Sequence, residues 1–206
     1  YKQAIEIFTT LSSFSETELE AKYGLTMCYV KLKEPKKALP LLESLIKARF
    51  DLKNTLPALL ALLVEEKEYK KAESYLAMIS EKERKEWEGR IKIRMADAEF
   101  EEAKKAGNGN RLIEFSEKNS ALTDNCFMPD IFYEAANLLS ENNREYAANI
   151  YKKLLKVCPD KQGLRLRILY SLKTIVTTDE MLLLLENEVK AASDSDYKNK
   201  LTDIKI

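Results

Sequence analysis

The chain has 206 residues, enough for one or two domains, of which 45% are apolar and 33% charged. Lysine plus arginine and aspartate plus glutamate both number 34, so the net charge is zero and advertises no nucleic-acid or membrane-surface partner. With 5 glycines and 5 prolines there is too little turn punctuation for a sheet-rich fold, and the absence of histidine removes the commonest general base and metal ligand.

The first predicted element is a helix opening on "YKQA" and reaching Leu11, so the chain begins inside a helix and reads as a piece of something longer. A helical pattern follows in "AKYGLTMCYVKL", then a second helix opening on "PKKA". The pair recurs as "LPALLALLVEEK" and "YKKAESYLAMIS". The apolar run "LPALLALLV" at 56–64 is nine residues long, less than half of the roughly 20 that a bilayer requires. The stretch "WEGRIKIRMADAEFEEA" spans 87–103, and Gly107 ends a helix after Ala106. Residues 110–118 read as a short helix with Leu112, Ile113 and Phe115 on its apolar side, and a polar loop runs to about Phe127. Thereafter come "IFYEAANLLSEN", a helix opening on "REYA", a looser pair over 161–193, and "DYKNKLTDIKI" as the start of another helix.

These second helices share a register. Ala4, Ala38 and Ala72 stand 34 residues apart, Ala103 follows after 31 and Ala147 after 44, and a further 34 leads to Met181. Four and seven residues after the alanine come Phe8 and Leu11, Leu42 and Leu45, Leu76 and Ile79, and Tyr151 and Leu154, the stripe of a buried helix. The pattern resembles the tetratricopeptide repeat (TPR) family, closely over 1–106 and 126–160 and loosely over 161–193. Trp87 stands early in a first helix, "ADAEFEEA" matches the small residue, acid, aromatic and alanine of the family, and Pro159 matches the proline that ends a unit.

The resemblance implies an all-α fold, a right-handed α-solenoid of antiparallel helix pairs with an irregular insertion near 107–126. It forms one domain over 1–206, with units at 1–17, 18–51, 52–82, 83–126, 127–160 and 161–193 and the start of a further helix at 194–206. In such a stack each alanine marks a close helix approach, as at Ala72, where a larger side chain overpacks. The first helix of each unit lines the concave face. Carried over by register, that face presents Tyr23, Met27, Val30 and Lys31, then Asn54, Ala61, Val64 and Glu65, then Phe132, Ala136 and Leu139, and finally Tyr170 and Lys173. The set lacks the Lys/Arg/Asn clamp with which some members of the family hold a C-terminal carboxylate.

Other chemistry is weaker. "GNGN" at 107–110 has neither a preceding strand nor the Lys-Ser/Thr ending of a phosphate loop, and reads as a helix break. Neighbouring acids such as Glu65–Glu66 and Glu101–Glu102 do not share a helix face, and no pair stands out as catalytic. "EKERKEWEGRIKIR" could place Trp87 under a base with Lys161, Arg165 and Arg167 extending a basic ridge, but Trp87 as a core aromatic among solvated ion pairs is the simpler reading. Cys28, Cys126 and Cys158 read as small buried hydrophobes; a Cys126–Cys158 bridge, which would have to span neighbouring repeats, is the minor alternative. Their odd number tilts the compartment slightly towards the cytoplasm, with a periplasmic or envelope-associated place as the other option.

The expected function is therefore a non-enzymatic protein-interaction scaffold that binds a partner peptide, helix or domain within a larger assembly. No cofactor, metal, nucleic acid or direct membrane insertion is expected, and self-association through terminal repeats is a further option. The alternative is the helical-repeat part of a cell-envelope polysaccharide or cell-wall processing and secretion system.

Overall fold

In the computed structural model of the chain, which describes residues 1–204, every regular element is a helix. Close contacts divide the chain into two compact units, one ending at Met95 and the other beginning at Ala96, where the sequence suggests a single domain. The first contains α1 (Lys2–Leu11), α2 (Glu18–Lys31), α3 (Pro35–Lys47), α4 (Leu52–Glu65) and α5 (Tyr69–Tyr75), which tightens into a 3-10 turn at Leu76–Met78. It also includes the start of α6 (Glu81–Lys105).

Short turns at 32–34 and 66–68 fold α3 back onto α2 and α5 back onto α4, while α1 packs on α2 and α3 on α4. Ala38, Leu42, Leu59, Leu60, Leu63 and Ala72 are wholly buried in one cluster, and Ile91 from α6 joins it. Each large side chain so buried contributes roughly 1.5–3 kcal/mol. Tyr69 sits at the start of α5 with its hydroxyl donating to the Arg94 carbonyl at 3.1 Å. Its place three residues before Ala72 thereby ties the helix opening to α6.

The turns reveal the register more clearly than the alanines do. Lys33 and Lys67 adopt the left-handed conformation with φ of 56° and 62°. Each donates its N–H to the carbonyl three residues back, Val30 at 3.1 Å and Val64 at 3.2 Å. Each also precedes its buried alanine by five residues. Gly107, with φ 61°, repeats this turn with a 3.1 Å bond to Lys104, and Asn142 repeats the bond to Leu139 at 3.1 Å. The positions equivalent to Ala38 and Ala72 are therefore Leu112 and Ala147, and the intervals are 34, 40 and 35 residues.

Ala103 does not open a second helix as the sequence suggests. It lies within α6, which runs unbroken for 25 residues. "ADAEF" has no glycine, and its alanines and glutamate are strong helix formers, so the helix continues to Gly107.

The second unit comprises the rest of α6, α7 (Gly109–Lys118), α8 (Ser120–Asp124), α9 (Pro129–Leu139), α10 (Arg144–Val157), α11 (Gln162–Leu172), α12 (Thr178–Ala191) and α13 (Ser195–Thr202). Asn108 caps α7, Asn143 caps α10, Thr177 caps α12 and Asp194 caps α13, each side chain accepting an N–H of the first turn. Phe115 bridges neighbouring rings, 5.5 Å from Phe100 of α6 and 5.4 Å from Phe132 of α9. The expected insertion at 107–126 shrinks accordingly. Gly109–Lys118 is the second helix of a regular pair, and the extra element is the five-residue α8 with its links. The last predicted helix is present as α13, its final residues Lys205 and Ile206 lying outside the described residues.

The cysteines require a correction. Cys126 and Cys158 are joined by a disulfide with their Cα atoms 5.5 Å apart, and Cys28 is a free buried thiol. The bond does join neighbouring units, and it is reachable because α8 folds back against α10 and brings Cys126, just after α8, to the C-terminal cap of α10.

Candidate interaction surface

In the first unit the residues expected on the first helices remain accessible. Tyr23, Met27 and Val30 of α2 are half-buried and Lys31 is exposed. On α4, Asn54, Ala61 and Glu65 are exposed and Val64 is half-buried. Tyr23 leans on Phe50 with ring centres 6.2 Å apart, and Asn54 donates to Asp51 at 2.8 Å. Val30 and Glu65 come together in a depression of about 500 Å³, alongside Pro35, Leu62 and Glu66.

In the second unit three of the expected residues are on the wrong side of their helix. Phe132 is 1% exposed and Ala136 and Leu139 are wholly buried, so none of them can meet a partner. These residues are carried over by register from the repeat resemblance, and in α9 that register falls on the core. One residue along an α-helix is a rotation of about 100°, so the accessible face is carried by Asp130, Tyr133, Glu134, Asn137 and Leu138. On α11, Tyr170 and Lys173 are exposed as expected.

Where α9 and α11 meet, three residues missed by sequence reasoning, Tyr133, Asn137 and Ser171, form one polar seam with Tyr151 of α10. The Tyr133 hydroxyl lies 3.2 Å from Ser171 Oγ, and Ser171 Oγ donates to Asn137 Oδ1 at 3.3 Å. Asn137 Oδ1 also accepts a hydrogen bond from the wholly buried Tyr151 of α10. Burial pushes the Tyr151 hydroxyl up to about 12 despite the Ser171 bond, so it remains a donor at neutral pH. Arg167 stacks 4.8 Å over the Tyr133 ring and pairs with Asp130.

The consequence concerns one amide. Asn137 Oδ1 thus accepts from both the Tyr151 and the Ser171 hydroxyls. Its Nδ2 carries the donors that remain, and among the described residues these have no protein partner. Asn137 is half-buried, and its amide is held by the buried Tyr151. The signal was present as two polar i, i+4 pairs, Tyr133 with Asn137 and Arg167 with Ser171, beside the apolar stripe rather than on it.

A second polar cluster in this unit is closed on itself. Arg165 Nε donates to Glu188 Oε2 at 2.9 Å, its Nη2 reaches the other carboxylate oxygen, and Nη1 donates to the carbonyls of Leu155 and Cys158, the latter at 3.2 Å. The Tyr197 hydroxyl adds a 3.0 Å bond to Glu188 Oε2, and burial together with that carboxylate pushes it up to about 12. The three residues are 8%, 7% and 5% exposed, and each engages the others, so this cluster joins α10, α11, α12 and α13 rather than awaiting a ligand. Arg165 therefore does not extend a basic ridge, and Arg167 is paired with Asp130. In α6, Trp87 is half-buried beneath Arg90, and Arg90 and Lys85 pair with Glu86 and Glu81. Among the described residues no helix is long and apolar enough to cross a membrane.

Comparison with protein-family models, with curated proteins and with solved structures returns no match.

Proposed function

We propose that this chain is a non-enzymatic scaffold of TPR type, a right-handed superhelix whose first helices bind an extended segment or helix of a partner protein. The observation that carries the reading is the side-chain amide of half-buried Asn137, held by Tyr151 and Ser171 on the accessible side of a first helix. A single pre-organised donor beside stacked Arg167 and exposed Tyr170 suits the carbonyl of a partner backbone, with aromatic and apolar area around it.

The test is Asn137→Asp. This change keeps the acceptor for Tyr151 and Ser171 while replacing the remaining amide donor with an acceptor. Proteins captured by the full wild-type chain should be retained about tenfold less by the variant, the worth of one well-placed hydrogen bond, at an unchanged melting temperature. Equal retention, or capture of nucleic acid that salt releases, would overturn the reading.

One observation favours the envelope reading. The Cys126–Cys158 disulfide suits an oxidising compartment, which removes the ground for placing the chain in the cytoplasm. In that reading the same seam of tyrosines and hydroxyls faces a polysaccharide, and immobilised glycans rather than proteins should retain the wild-type chain.

A further inference from the structure

The α8 segment is held in an unusual way for a repeat of this size. Five residues make too short a helix to be stable by itself. Thr123 is its buried side chain, and the Asp124–Lys153 pair at 2.7 Å is partly exposed and so contributes at most about 1 kcal/mol. The covalent attachment is the Cys126–Cys158 bond to the end of α10. The helices beneath do not depend on it, since α9 and α10 pack on each other through Ala135, Ala136, Leu139, Ala147, Tyr151 and Leu154.

From this arrangement we propose that Cys126–Cys158 is a thiol-exchange site, a clasp whose reduction by an external dithiol releases residues 119–128 from α10 while leaving the α9–α10 pair folded. The two sulfurs are not equivalent. Cys158 is 1% exposed, whereas Cys126 is half-buried and can be reached from solvent. A thiolate of the dithiol therefore attacks Cys126 Sγ, and the Cys158 sulfur leaves as a thiolate that takes up a proton. The second thiol of the reductant then displaces Cys126. The protein gains two electrons and two protons as two thiols, and the reductant becomes a disulfide.

Release has a defined consequence. Ser120 and Thr123 form one wall of a largely apolar cavity of about 210 Å³, whose other walls include Ser116, Phe132, Tyr146 and Ile150. Withdrawing α8 removes that wall and exposes more of the apolar surface behind it. Cys126 is in the left-handed region with φ 53°, a conformation unfavourable for a cysteine, so freeing the segment also relieves backbone strain.

Hydrogen exchange of the full chain, followed by mass spectrometry with and without dithiothreitol, tests the proposal. Residues 119–128 should exchange at least tenfold faster once the bond is open, with residues 129–157 unchanged, and Cys126→Ser should show the same pattern without reductant. A glutathione adduct trapped under limiting reduction should lie on Cys126. Unaltered protection of 119–128, loss of protection throughout α9 and α10, or an adduct on Cys158 would each overturn it.

Discussion

The two units solve the same packing problem by different means. In the first, two helix pairs repeat at 34 residues and bury a leucine-rich cluster. None of α1 to α5 has a side-chain cap, and four non-glycine residues there, Lys33, Arg49, Asp51 and Lys67, have positive φ. The interval from the first unit to the second is 40 and within the second 35, and in the second unit directional bonds appear. These are the disulfide, the Arg165–Glu188–Tyr197 cluster, the Tyr151–Asn137 bond and caps on four helices. Non-directional apolar burial orients helices well when every unit presents the same stripe. Where the stripe is irregular, many packings have similar area, and bonds with fixed geometry select among them.

The contrast is tested most severely at Arg165. Arg165→Ala leaves the Glu188 carboxylate buried without its partner, and unfolding of the second unit should become easier by about 3–5 kcal/mol. Replacing the cluster together, as Arg165→Met, Glu188→Leu and Tyr197→Phe, should be neutral or stabilising by up to about 4 kcal/mol, because no charge remains to desolvate. Urea melts of the three proteins decide the matter. A cost under about 1 kcal/mol for the single change would mean that the cluster does not hold the helices.

In the first unit the corresponding probe is size. Ala72 is wholly buried where α5 meets α4, and Ala72→Leu should destabilise by roughly 1–3 kcal/mol. The second unit already holds a leucine at the equivalent position, Leu112, 4% exposed. The same side chain is thus native in one unit and excess volume in the other. An unchanged melting curve for Ala72→Leu would remove close packing from the account of the first unit.

The sequence exposed much of this fold and less of the surface. Periodicity placed the helices, and a 34-residue recurrence paired those of the first unit, because buried stripes and turns repeat together there. It misplaced Ala103, since an alanine inside a long helix and one at a helix opening look alike until the turn is seen. It favoured two free thiols over the Cys126–Cys158 bond, because the fold-back of a five-residue helix leaves no periodic trace. At the candidate surface, the register of the repeat resemblance pointed to Phe132, Ala136 and Leu139, which are core. The accessible neighbours Tyr133 and Asn137 differ from them by one position, a distinction that depends on which side of α9 the other helices occupy.

The finest comparison is between turns of one kind built from different residues. Lys33, Lys67 and Gly107 share the left-handed conformation, which costs an L residue with a side chain about 1 kcal/mol more than glycine. Lys67→Gly should therefore raise stability by about 0.5–1 kcal/mol, and Gly107→Ala should lower it by about the same. At Gly107 an added Cβ meets nothing within 4 Å, so the change isolates the backbone term. Gly89 supplies the control. It is equally open but lies inside α6, where alanine is the better helix former by about 1 kcal/mol, so Gly89→Ala should stabilise. Two glycine-to-alanine changes in open space should thus have opposite signs in denaturant melts. If both stabilise, Gly107 is not the left-handed turn that places Leu112 in register with Ala38 and Ala72.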